Sequence, residues 1–114
     1  MTKVVNTALW QTKNPQQLLE AIDALATTSE LPNFLSDVLT EKEIIEIAAR
    51  FEAARLLNDG VSYQTIVTQT KLSTRTVARI SQWLKNGTGG YAAALMSLNT
   101  QPAHHSHIPP ARAE

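Results

Sequence analysis

Two serines, Ser62 and Ser73, stand eleven residues apart in the stretch SYQTIVTQTKLSTRTVARISQWLKN, residues 62–86, and each opens a helical pattern. That spacing allows one two-turn helix, a tight turn and a second helix, the arrangement of a helix-turn-helix. The same stretch holds four cations, Lys71, Arg75, Arg79 and Lys85, and neither Asp nor Glu. A pair of short helices with cations gathered at the turn and on the second is built to read DNA. The second helix would lie in the major groove with its first residues at base edges.

Counting from Tyr63 as position one, Ile66, Leu72, Val77 and Ile80 fall at positions four, ten, fifteen and eighteen. These are the places where the two helices must meet through apolar side chains. Two departures stand out. Position five, where bulk pushes the helices apart, is Val67, and position nine, where a left-handed residue is wanted, is Lys71 rather than glycine.

The residues left facing outward are Gln64 and Thr68 on the first helix and Ser73, Thr74, Arg75, Ala78 and Arg79 on the second. Arg75 has the fork geometry that pairs with guanine O6 and N7. Ser73, Thr74 and Thr76 can hold phosphate or pack a methyl on thymine, although an N-cap role competes for Ser73 or Thr74. Lys71 and Lys85 are expected phosphate clamps.

The rest of the chain reads as helix. Asn14-Pro15 predicts a helix start, followed by Leu18, Leu19, Ile22, Leu25 and Ala26 on one stripe, with Trp10 just upstream. A short helix around Pro32 to Leu39 is expected to bury Phe34, Leu35 and Val38. Thr40-Glu41-Lys42-Glu43 spells a capping box. Ile44, Ile47, Ala48, Phe51, Ala54 and Arg55 carry that helix on to a stop at Gly60. In the same helix Arg50 is expected to pair with Glu46. Gly87, Gly89 and Gly90 break the chain before a final apolar helix from Tyr91. Residues 1–99 are thus expected to form one domain of about six helices. TQPAHHSHIPPARAE, residues 100–114, reads as a disordered tail.

Charge divides the chain as the motif does. Residues 1–60 set five cations against nine anions, whereas residues 61–100 carry the four cations alone, so a net charge of zero conceals a polar molecule. The absence of cysteine removes disulfides and thiolate zinc sites. No apolar run approaches the ~18 residues of a membrane span, and no signal-peptide core is present, so the cytoplasm is the expected location. Three histidines at 104, 105 and 107 are more often incidental than metal-binding. No carboxylate pair or phosphate loop suggests catalysis, so neither an enzyme nor a cofactor is expected.

From Leu39-Thr40 through Lys85 the sequence resembles the Trp repressor superfamily, and the GTGGY segment after it is similar to the YerC/YecD-type branch; the likeness spans residues 10–98 or so. That resemblance implies an all-α domain, N-terminal helices interlocked into a homodimer, and a helix-turn-helix that reads an operator half-site. It also places Thr40, Arg50 and Arg79 where the family holds a corepressor. Ile80 stands where Trp repressor has glycine, and its branched side chain would crowd an aromatic ring. The expected function is therefore a dimeric, sequence-specific transcriptional regulator, with repression as its mode and operator DNA as its partner. The rival is a helical protein-interaction module using Glu41, Glu43, Glu46 and Glu52.

Overall fold

Capping chemistry sets several of the helix boundaries. The computed structural model describes residues 7–99, which form seven helices and no strand. They are α1 (Thr7–Trp10), α2 (Lys13–Leu25), α3 (Leu31–Val38), α4 (Glu41–Asn58), α5 (Tyr63–Thr70), α6 (Thr74–Asn86) and α7 (Gly90–Asn99). The expected capping box opens α4: the Glu43 backbone N–H donates to Thr40 Oγ1 at 3.1 Å and the Thr40 N–H to Glu43 Oε1 at 2.9 Å. Gly60 closes it in the left-handed region, at φ 84°. There the Gly60 N–H donates to Leu57 O and the Val61 N–H to Leu56 O, the paired bonds of a Schellman end. Val61 then folds back onto the core beside Leu56.

That core belongs to the second half of the chain. Ala53, Ala54 and Leu56 of α4, Ile66 of α5, and Val77 and Ile80 of α6 are buried together. Two consecutive alanines on α4 offer almost no side-chain bulk, so α5 and α6 both approach its axis closely. Val67, Leu72 and Tyr91 seal the edges, and α7 adds buried Leu95. Val67, larger than the position prefers, is accommodated by lying half-buried at the rim.

The first half is built differently. No residue of α1, α2 or α3 is buried, nor is any in the first half of α4. Ile45 is 63% exposed, Val38 52% and Ile47 50%. The periodic stripe therefore reaches a core only over the last turns of α4, where Ala53 and Leu56 join Ala54. The expected burial of Val38 does not occur, because α3 packs weakly on α4 and leaves an open groove; Phe34 and Leu35 are half-buried.

Several expected boundaries shift. A short α1, ending at Trp10, precedes the expected first helix. α2 begins at Lys13, one residue before the expected cap Asn14, with Thr12 in the N-cap position and no side-chain cap bond. Thr12 Oγ1 instead donates to Leu9 O at 2.6 Å, joining α1 to α2. Arg50 does not pair with Glu46. The ion pairs of α4 among the described residues belong to Arg55, which grips Glu52 through two nitrogens at 2.9 and 2.7 Å and reaches Asp59 at 3.5 Å. The Glu52 hydrogen bond raises the Arg55 pKa. The histidine-containing segment lies outside the described residues.

Candidate nucleic-acid interface

The turn between α5 and α6 is assembled from local hydrogen bonds. Ser62 Oγ accepts the Thr65 N–H at 3.2 Å and donates to Thr65 Oγ1 at 3.0 Å. Ser73 repeats the pattern on Thr76, at 3.1 and 3.0 Å. Thr70 Oγ1 donates to Ile66 O at 2.7 Å and accepts the Leu72 N–H at 3.3 Å, tying the end of α5 to the turn. Lys71 takes the left-handed conformation, φ 66° and ψ 10°, the only non-glycine residue with positive φ among those described.

These constraints sort the candidate contact residues. The helical period stacks Arg75, Ala78, Arg79 and Gln82 on one exposed face of α6, opposite buried Val77, Ile80 and Ser81. Thr74 and Lys85 are exposed toward one flank, at opposite ends of α6, and Lys71 is exposed in the turn that precedes the helix. Gln64 and Thr68 are exposed on α5, with Thr68 Oγ1 donating to Gln64 O at 3.1 Å. Thr76 is half-buried on the opposite flank, and the Ser73 hydroxyl is taken up by capping. Gln82 was absent from the sequence reading, although its place seven residues after Arg75 marks it as a member of the outer face.

On the Thr76 flank, Arg50 of α4 and Arg79 of α6 line one shallow pocket of about 120 Å³ with Thr76, Ile80 and Trp83. Typical small-molecule sites run to ~300 Å³ and above. Buried Ile80 closes its floor. Thr40 is not part of this pocket in the single chain: it caps α4 ten residues before Arg50, about 15 Å along the helix axis. Trp83 also borders a second cleft of about 320 Å³ with Thr88, Gly90 and Tyr91, a junction the sequence reading missed. Burial pushes the Tyr91 hydroxyl pKa up, opposed in part by the nearby Arg50 cation.

Described residues that are helical throughout their regular structure, with a tight helix-turn-helix packed against a longer helix and cations on its outer face, define a Trp-repressor-like domain. The comparisons agree. The Trp repressor protein family model matches residues 13–99, and the chain belongs to that family, whose members are helical DNA-binding regulators rather than an enzyme class. The uncharacterized protein YerC of Bacillus subtilis (strain 168) is 37% identical over 83 residues, 73% of this chain and 80% of YerC. The crystal structure of a TrpR-like protein from Eubacterium eligens ATCC 27750 superposes with a TM-score of 0.75 at 32% identity, covering 82% of this chain and 96% of that one. Among the described residues no helix is long and apolar enough to cross a membrane.

Proposed function

We propose that this protein is a dimeric, sequence-specific transcriptional regulator that represses by occupying a two-fold operator. The observation that carries the reading is the outer face of α6. There Arg75 and Arg79 are exposed, and neither forms an ion pair among the described residues, while no acidic residue lies in 61–99 to compete with phosphate. Lys71 and Lys85 extend the positive surface to either end. If each of the four cations in residues 61–99 meets one phosphate, a dimer neutralises about eight, giving a logarithmic salt slope near −7.

The dimer reading rests on the groove between α3 and the start of α4. It holds about 390 Å³ and is lined by Leu31, Pro32, Leu35, Leu39, Ile44 and Ile47 among others. Leu18 and Leu19 of α2 are exposed apolar side chains of the same chain that a second copy brings to cover such a surface. Two α6 helices related by a two-fold axis would then enter successive major grooves about 34 Å apart.

Selection from randomised duplexes at two salt concentrations, with Arg75→Ala beside the parent, tests the reading. Enrichment of a two-fold site, weakened by salt and lost in the variant, is the expected result. Equal retention of all duplexes by both proteins would instead favour the interaction-module reading through Glu41, Glu43, Glu46 and Glu52, the last of which is engaged by Arg55. The Arg50–Arg79 pocket supports a subsidiary reading, a small anionic effector; its size and the Ile80 floor argue against an aromatic ring.

A further inference from the structure

The stacked face of α6 divides its labour more finely than a list of cations suggests. Ser73 spends its hydroxyl on Thr76, donating to Thr76 Oγ1 and accepting the Thr76 N–H, and Thr76 turns toward Arg50. Arg79 also borders that flank. With Thr74 exposed toward the other flank, what remains at the centre of the outer face over the first two turns is Arg75 and, one turn later, Ala78, both exposed. Arg75 makes no hydrogen bond or ion pair among the described residues, so its guanidinium is available without breaking an internal contact.

We infer that Arg75 and Ala78 are the base-reading pair, with Arg75 on the O6 and N7 of a guanine and the Ala78 methyl against the C5-methyl of a thymine. The assignment rests on the regulator reading above. The two residues are separated by about 4.5 Å along the helix, so the guanine and thymine lie one or two steps apart in the half-site. The chemistry is complementary. A guanidinium fork matches the paired acceptors of guanine, and a single methyl is the right size to touch thymine while letting the helix sit deep in the groove. A longer side chain at 78 would hold the helix away and weaken the arginine contact. Lys71, Arg79 and Lys85, flanking this pair, serve phosphate and carry no sequence information.

The test pairs protein atoms with base atoms. With the full chain and its selected duplex, 7-deazaguanine at the half-site guanine is expected to weaken the parent about 5- to 150-fold and to leave Arg75→Ala almost unaffected. Uracil for thymine is expected to cost about threefold to fourfold in the parent, and that cost disappears in Ala78→Gly. Both positions are exposed, and circular dichroism checks that each variant stays folded. Selective binding whose guanine and thymine dependence survives in the variants would overturn the base assignment alone. A parent chain that binds every duplex equally, or none, would overturn the regulator reading and the assignment with it.

Discussion

The backbone N–H of Lys71 donates to the carbonyl of Val67 at 2.9 Å, closing α5 with a lysine held in the left-handed region at φ 66°. A β-carbon in that conformation costs about 1–2 kcal/mol, while glycine there would lose more chain entropy on folding, by about 0.5–1 kcal/mol. Lys71→Gly is therefore expected to raise stability by up to about 1 kcal/mol. It also removes a cation, so DNA affinity should fall and the salt slope should shrink by about 0.9 for each chain that loses a phosphate contact. Thermal melts and salt-dependent anisotropy together check the opposite signs. A rise in stability with no change in slope would show that Lys71 does not touch phosphate.

Ser73 can be tested in the same two currencies. Its hydroxyl caps α6 through the Thr76 N–H, so Ser73→Ala should cost about 1 kcal/mol of stability. Ser73→Asp keeps a capping acceptor and places a carboxylate beside DNA phosphate. Its melting temperature should stay close to the parent's while operator affinity drops.

Ile80 of α6 is buried to 1% exposure in the core it shares with α4 and α5. Ile80→Ala is expected to cost about 2–4 kcal/mol, and Ile80→Val about 1 kcal/mol. Urea denaturation monitored by far-UV circular dichroism would measure both. An effect below about 0.5 kcal/mol for the alanine variant would contradict this packing.

Tyr91 sets an alkaline limit. Burial raises its pKa above the ordinary value, so the folded chain binds its proton more tightly than the unfolded chain. Stability linked to this group is fully present below about pH 10 and is lost as pH rises from there through the folded pKa. Melts of the parent should decline more steeply above pH 10 than those of Tyr91→Phe, and the two should run parallel near neutrality.

Gly87 ends α6 where an added β-carbon would collide with the Trp83 carbonyl oxygen, a backbone atom that cannot swing aside. Gly87→Ala should displace the start of the loop to α7 and destabilise by about 1–3 kcal/mol. Gly60 has open space around it but a φ of 84°, so Gly60→Ala strains the backbone without a clash.

Much of this molecule was legible locally. The capping box at Thr40, the caps at Ser62 and Ser73 and the stop at Gly60 follow from chemistry acting over three to five residues, and the packing set Ile66, Leu72, Val77 and Ile80 from its spacing across one short helical hairpin. One-dimensional spacing reports such interactions faithfully. The left-handed demand at position nine was also visible, and Lys71 meets it in spite of the steric cost. Where local signals competed, the sequence was ambiguous. Asn14 and Thr12 can both begin α2, and the bond from Thr12 Oγ1 to Leu9 O belongs to an α1 whose four residues carry almost no periodic signal.

Apolar periodicity determined that α3 and the first half of α4 have a hydrophobic face; it carried no information about what covers that face. Only the tertiary structure decided that Ala53, Ala54 and Leu56 are buried with residues of α5 and α6, whereas Val38, Ile45 and Ile47 stay half or more exposed among the described residues. The same holds for charge. Composition placed four cations in one segment and the helical period aligned Arg75, Ala78, Arg79 and Gln82 on one face, but only the three-dimensional packing left that face exposed, turned Thr76 inward beside Arg50 and Trp83, and left Arg50 without Glu46. Burial and direction depend on residues distant in sequence, whereas caps and turns depend on near neighbours.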